Sequence, residues 1–237
     1  MLEIRELAVD AEGEPVLNGV DLTLEDGQLH VLMGPNGSGK SSLLATIMGL
    51  PPFRVTGGDI LFDGRSILGL DIRARADLGI GLGYQRPPSL EGVSVRSFAA
   101  ALGAEDRLAA AAETLDLTTF LDRDMNVGFS GGEVKRWEVL KLILQDPHLL
   151  LFDEPESGVD LEHVIAVGQA IQRVVAAPDH EGRTCSALVI THTGLILNHV
   201  LADRGHIMTD GRIVHSGDAH GIFTHIRSRG YIVPDVA

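Results

Sequence analysis

Apolar and polar positions alternate from the start of the chain. Leu2, Ile4, Leu7 and Val9 are apolar, Glu12-Gly13-Glu14-Pro15 interrupts them, and Val20, Leu22 and Leu24 resume before Glu25-Asp26-Gly27. Alternation at period two puts one face of a strand in a core, so an antiparallel, hairpin-like start is predicted. His30-Val31-Leu32-Met33 differs: it is a short apolar run leading into glycines, the pattern of a strand covered on both faces. A helix is predicted from Ser41 to Leu50, stopped by Pro51-Pro52. From Ser97 to Leu121 alanine becomes dense and favours helix. A further helix is predicted from Glu133 to Gln145, closed by Pro147, and another from Leu161 to Val175. Leu149 to Phe152 and Ala187 to Thr191 read as buried strands. His206 to Met208 and Arg212 to Val214 read as a strand pair about Asp210-Gly211. The expected fold class is α/β, a single domain over 1–237. A core of residues 1–86 and 146–237 is interrupted by a helical sub-domain over 87–145.

Composition narrows what this fold can do. The chain has 237 residues, 44% of them hydrophobic, enough for a sizeable core. Its net charge of −14 disfavours nucleic acid and anionic membranes, which are themselves negative. With 4% aromatic residues it makes a poor stacking platform for single strands. One cysteine, Cys185, rules out an internal disulfide, and its apolar setting suggests a core thiol. Glu3, Arg5 and Glu6 do not suit a signal peptide. The stretch from Thr184 to Ala202 has no Asp, Glu, Lys or Arg but carries two His and an Asn, so no membrane span is expected there. The expectation is a soluble, cytoplasmic protein without nucleic-acid partners or membrane insertion.

Gly34-Pro35-Asn36-Gly37-Ser38-Gly39-Lys40-Ser41 fits G-x-x-x-x-G-K-[ST] throughout. Glycines here let successive backbone N–H groups converge on phosphate oxygens, and the helix after the loop directs its positive end at the same anion. Lys40 is expected to reach the β- and γ-phosphates, Ser41 to ligate Mg²⁺, and Ser42 to extend the cradle. The phosphate loop needs a carboxylate near its metal. Asp153, at the end of the Leu149–Phe152 strand, supplies one, and Glu154 is placed to polarise an attacking water. Ser130-Gly131-Gly132-Glu133 reads as a capping box at a helix start. With two bare glycines it is also an anion cradle, of use if it meets the γ-phosphate held by another copy.

Together these motifs resemble the ATP-binding-cassette ATPases over nearly the whole chain. The resemblance implies an ABC ATPase fold: a RecA-like P-loop core, an antiparallel β sub-domain and an inserted helical sub-domain. Ser130, Gly131 and Gly132 are similar to the family signature. Gln85, after Leu82-Gly83-Tyr84, resembles the Q-loop glutamine that senses Mg²⁺ and γ-phosphate. Ser157-Gly158-Val159-Asp160 looks like the D-loop, and His192 like the switch histidine. The same resemblance implies Mg²⁺-dependent ATP hydrolysis in an ATP-induced, head-to-tail homodimer. No aromatic residue precedes Phe53, so the adenine base is expected on aliphatic groups near Val9 to Ala11 with loose nucleotide discrimination. His215, His220 and His225 step by five, which shares no helix face, and no metal site is expected there.

Within that family the chain resembles the SufC ATPases of iron–sulfur cluster assembly. The similar stretches are Val55-Thr56-Gly57-Gly58, Tyr84 to Pro88 with Gly92-Val93-Ser94, Phe129 to Glu133 with Lys135-Arg136 and Glu138, and Gly211 to Val214 with Ser216-Gly217-Asp218. This implies a SufB-like scaffold partner, with or without a SufD-like subunit, docked near Tyr84, Arg86, Pro87, Pro88 and Val93. Pro155, Trp137 and Thr193-Gly194 depart from the SufC pattern, and Pro155 is a feature of transporter cassettes. A membrane importer's nucleotide-binding subunit therefore stands as the alternative.

Overall fold

The computed structural model describes residues 1–178 and 182–231; the predicted core segment 146–237 thus includes positions outside the described residues. The chain opens with three strands, β1 (Leu2–Ala11), β2 (Glu14–Leu24) and β3 (Leu29–Met33), followed by α1 (Lys40–Met48). Then come β4 (Phe53–Phe62), β5 (Arg65–Ser66), α2 (Ile72–Asp77), β6 (Ile80–Gly83) and β7 (Leu90–Ser94). The helical segment holds α3 (Val95–Ala101), α4 (Glu105–Thr114), the short β8 (Asp124–Met125) and α5 (Gly131–Gln145). The chain continues through β9 (Leu149–Asp153), α6 (Leu161–Ala176), β10 (Ser186–Thr191), β11 (Arg204–Thr209), β12 (Arg212–Gly217) and α7 (Ala219–Arg229).

Two main sheets result. Strands β2-β1-β4-β5 form an antiparallel sheet, in which β1 and β2 are the hairpin that the period-two opening predicts. The second has the order β12-β11-β3-β10-β9-β6, parallel except for the last hairpin between β11 and β12. Its central strands are covered on both sides. Leu29, Val31 and Met33 face one core with Trp137 and Val167, while Leu32 faces another with Leu43, Ile47 and the antiparallel sheet. That double burial is the reason these strands are continuous apolar runs.

The alanine-rich stretch from 97 to 121 is not one helix. Leu102-Gly103-Ala104 ends α3, with Gly103 at φ +63°, and Asp116 at φ +53° comes just after the end of α4. Alanine favours helix but sets no register, and the turn wins because it lets α3 and α4 fold together and α4 pack on α5. Helix α5 anchors this region to the core: it packs on α6, and the Lys141 ammonium donates to the Leu82 carbonyl at 3.0 Å.

One buried polar pair lies inside the parallel sheet. His30 on β3 and His206 on β11 share a hydrogen bond, Nδ1 to Nε2, of 3.0 Å. Gln28 and Ser216 complete the chain of bonds at 2.9 and 2.7 Å. Burial, with the nearby Arg204 charge, pushes His30 down to about 4. Burial, then His30 and Arg204, pushes His206 down to about 3. Both rings are neutral in the fold but bind protons below about pH 6.5 once unfolded. Their contribution to stability is therefore full above pH 6.5 and declines as pH falls towards 4, at up to about 1.4 kcal/mol per pH unit for each ring. Denaturant unfolding between pH 7.5 and 4.5 should show this loss, and His206→Gln should flatten it. An unchanged slope in that variant would contradict the assignment.

Candidate functional site

The parallel strands carry the site at their C-terminal ends, where ligands collect in open α/β sheets. Strand β3 delivers the glycine loop. A Cβ on Gly34 would lie 2.2 Å from the Met208 carbonyl oxygen, so only glycine lets the loop leave the sheet there. Gly37 and Gly39 have φ of +80° and +102°, and a Cβ on Gly39 would press on Leu17 at 2.9 Å. The Lys40 side chain folds back over the loop, donating to the carbonyls of Gly34 and Pro35 at 2.8 Å each. Burial lowers its pKa, against the raising pull of Glu154 and Asp153. Within α1 the first internal bond runs from Leu43 N to Gly39 O at 2.9 Å. The amides of Lys40, Ser41 and Ser42 precede it and, as at any helix start, have no acceptor within the helix.

Strand β9 delivers the carboxylates. Ser41 Oγ donates to Asp153 Oδ1 at 2.9 Å, joining two of the three expected Mg²⁺ ligands, Ser41, Gln85 and Asp153. Burial raises the pKa of Asp153, while the Ser41 bond works the other way. Glu154 is buried with φ of +47°, a left-handed conformation unusual for glutamate. Its amide donates to the Ile190 carbonyl at 3.1 Å, which ties the loop after β9 to β10. Its two carboxylate oxygens are shared. Oε2 accepts from Gln85 Nε2 at 2.6 Å and Oε1 lies 3.1 Å from His192 Nδ1. Four residues from distant stretches, Lys40, Gln85, Glu154 and His192, thus border one open cleft of about 740 Å³.

The signature segment lies elsewhere. Ser130 caps α5, with Glu133 N to Ser130 Oγ at 3.4 Å and Ser130 N to Glu133 Oε2 at 2.6 Å. That backbone bond is the main cause of the lowered Glu133 pKa. Gly132 abuts His163, where a Cβ would sit 1.8 Å from the ring, and the ring is held by Asp160 through Nδ1 at 2.6 Å. Ser130, Gly131, Gly132 and Asp160 do not line the cleft that holds Lys40. Ser130, Gly131 and Asp160 face solvent.

Of the residues expected near the base, Asp10 and Ala11 are partly exposed. Val9 is fully buried in the core beneath the antiparallel sheet, because its side of the alternation faces inward. The aliphatic groups at the cleft mouth are Pro15 and Val16 on β2, beside Asn18 and the β11–β12 turn at Asp210-Gly211. This turn is clipped to the glycine loop by Gly211 N to Ser38 O at 3.0 Å. The structure also adds Lys135 to the site. Its buried ammonium donates to the Gln85 carbonyl at 2.7 Å and the Glu154 carbonyl at 3.1 Å, fastening both segments to α5. No local sequence signal marks a lysine in the second turn of a helix for that task. Among the described residues no cluster of His, Cys, Asp or Glu has the geometry of a metal site. No helix there is long and apolar enough to cross a membrane.

The donor set suits a nucleoside triphosphate with a divalent cation: a buried ammonium, a helix start whose first amides have no acceptor within the helix, and the hydroxyl–carboxylate pair of Ser41 and Asp153. A family model described as ABC transporter matches residues 17–157. A probable ABC transporter ATP-binding protein of Streptococcus pyogenes serotype M18 is 39% identical over 98% of this chain and 93% of its own length. The probable ATP-dependent transporter SufC of Escherichia coli strain K12 is 35% identical over 98% of this chain and 97% of its own. A dimeric ATP-binding cassette in a post-hydrolysis state with ADP and Pi shares the fold, with a TM-score of 0.77 at 20% identity over 92% of this chain and 99% of that one. The chain belongs to the ABC transporter family. Within it, this is an ATP-hydrolysing nucleotide-binding subunit that uses ATP with Mg²⁺.

Proposed function

We propose that this subunit drives iron–sulfur cluster assembly on a soluble SufB-like scaffold, with or without a SufD-like subunit. The observation that carries the reading is the 35% identity to SufC along almost the full length of both chains. The motif stretches around Tyr84 to Ser94 and Phe129 to Glu138 support it.

In this reading the loop from Gly34 to Ser42, with Lys40, cradles the phosphates. Ser41, Gln85 and Asp153 hold Mg²⁺. Glu154 orients the attacking water, and His192 contacts the γ-phosphate. Bound Mg²⁺ would supply charge neutralisation on the transferring phosphoryl group. Ser130, Gly131 and Gly132, which face away from their own cleft, close over the nucleotide of a second copy. Asp160 lies beside them in that interface. Residues 87–145 act as the helical sub-domain. Its docking groove starts at Tyr84, whose amide donates to Glu138 at 2.8 Å, and reaches Pro88, whose carbonyl accepts from Asn126 at 2.8 Å. Closure of the two copies is thereby transmitted to whatever the groove holds.

The 39% identity to a probable ABC transporter ATP-binding protein favours a second reading, the nucleotide-binding subunit of a membrane importer. Co-expression separates the two. With a SufB-like protein, a detergent-free soluble complex containing two copies of this subunit is expected. Arg86→Glu with Val93→Ala should weaken it and leave ATP binding intact. Recovery only in the membrane fraction with a permease, and with no soluble scaffold, would move the assignment to the importer.

A further inference from the structure

We infer that Glu156 is a positioning residue for ATP hydrolysis: its buried carboxylate grips the two threonine hydroxyls flanking His192 and so sets the imidazole against Glu154. The geometry is specific. The Thr191 hydroxyl and the Thr193 hydroxyl, the latter at 3.1 Å, both donate to the same oxygen, Glu156 Oε1. Thr191 Oγ1 in turn accepts from the Gly194 amide at 2.8 Å. His192 lies between these anchored residues, in the turn that leaves β10. The turn has little freedom beyond them. Gly194 sits at φ +67°, and a Cβ there would lie 2.2 Å from Phe223.

Glu156 shares a loop with Glu154, two residues earlier. The two glutamates act on different residues of the His192 turn. Glu154 reaches the imidazole at the cleft, 3.1 Å from Nδ1, and Glu156 holds the threonine hydroxyls on either side of it. The loop that carries the carboxylate and the loop that carries the histidine are therefore joined twice. Displacement of the His192 backbone from the cleft requires the Thr191 and Thr193 bonds to Glu156 to break.

As a stabilising element Glu156 is a poor choice. It is 4% exposed, and among the described residues no hydrogen bond reaches its Oε2. Burial raises its pKa, opposed first by the Thr191 bond. A buried carboxylate with half its acceptor capacity unfilled is a burden on folding. What it supplies is geometry: one rigid acceptor that two hydroxyls on either side of His192 must face.

The inference rests on the role proposed above for His192, and a double-mutant cycle on the full chain tests the two separately. Steady-state ATP hydrolysis is measured for the wild type, Glu156→Ala, His192→Ala and the double variant. Glu156→Ala should lower kcat about 10- to 100-fold with KM for ATP within about threefold. In the His192→Ala background the same substitution should change kcat by less than about twofold, since its effect passes through a ring already removed. Glu156→Gln, whose amide oxygen still accepts both hydroxyls, should restore most of the rate. If Glu156→Ala does not fold, Thr193→Val replaces it in the cycle, with an expected loss of about 3- to 10-fold that again vanishes without His192. Equal losses in both backgrounds, with His192→Ala itself slow, would overturn the positioning role alone. A His192→Ala protein with wild-type turnover would overturn the role of His192 and this inference together.

Discussion

Glu154→Gln should bind ATP normally and hydrolyse it about 10²- to 10⁴-fold more slowly. The site explains why this substitution is so selective. Glu154 has one oxygen accepting from Gln85 Nε2 and the other beside His192 Nδ1. A glutamine can reproduce both contacts, with its carbonyl towards Gln85 and its amide towards a histidine tautomer that accepts there. Its backbone bonds, to Ile190 and from Lys135, do not involve the side chain. Shape and loop position are kept, so the phosphate cradle around Lys40 is undisturbed. In the proposed role of Glu154, the substitution removes the negative charge that would orient and polarise a water aimed at the γ-phosphate. The γ-phosphoryl group gains little from the protein besides positioning and electrostatics, so removing that charge falls on the chemical step. Single-turnover hydrolysis together with nucleotide-binding titration checks both halves. Near-normal turnover would remove Glu154 from the role.

Much of this is legible from residue order because the chemistry lies in contiguous motifs. The loop from Gly34 to Ser41 needs a strand before it and a helix after it, and β3 and α1 stand there. Asp153 and Glu154 come after an apolar run whose double burial is plain from its composition, and Ser130 with Glu133 announces a capped helix. Elements whose residues serve packing are harder to see. Strand β6 is Ile-Gly-Leu-Gly, a poor strand by propensity. A Cβ at Gly81 would lie 2.7 Å from Leu142 and 2.9 Å from Pro147, so its glycine answers to α5, far along the chain. Strand β4 is concealed by Gly57-Gly58 at its middle, where a Cβ on Gly58 would lie 2.3 Å from the Arg5 carbonyl. Pro15 and Val16 on β2 line the cleft mouth, whereas Val9 on β1 is buried. Period-two alternation tells that one face is buried, not which residue of the next strand reaches the cleft. The tasks of Lys135 and Glu156 are not legible in the sequence for a related reason: each is defined by partners on other segments.

In the proposed mechanism hydrolysis needs two copies, each closing its Ser130–Gly132 segment over the nucleotide at the other's Lys40. One chain cannot do this alone, since its own signature segment does not border its own cleft. Two subunits of net charge −14 repel one another at long range, so free chains should remain apart without nucleotide. ATP must favour the closed pair over the separate chains to reverse that balance. Salt shortens the repulsion and should help the pair form. The slow Glu154→Gln protein holds ATP long enough for the pair to be seen. The decisive measurement is its light-scattering mass with and without Mg-ATP, at low and moderate salt, alone and with the proposed SufB-like scaffold. A mass for the free protein that doubles with Mg-ATP, more completely at moderate salt, is the predicted result. A single copy under every condition, including within the complex, would contradict it.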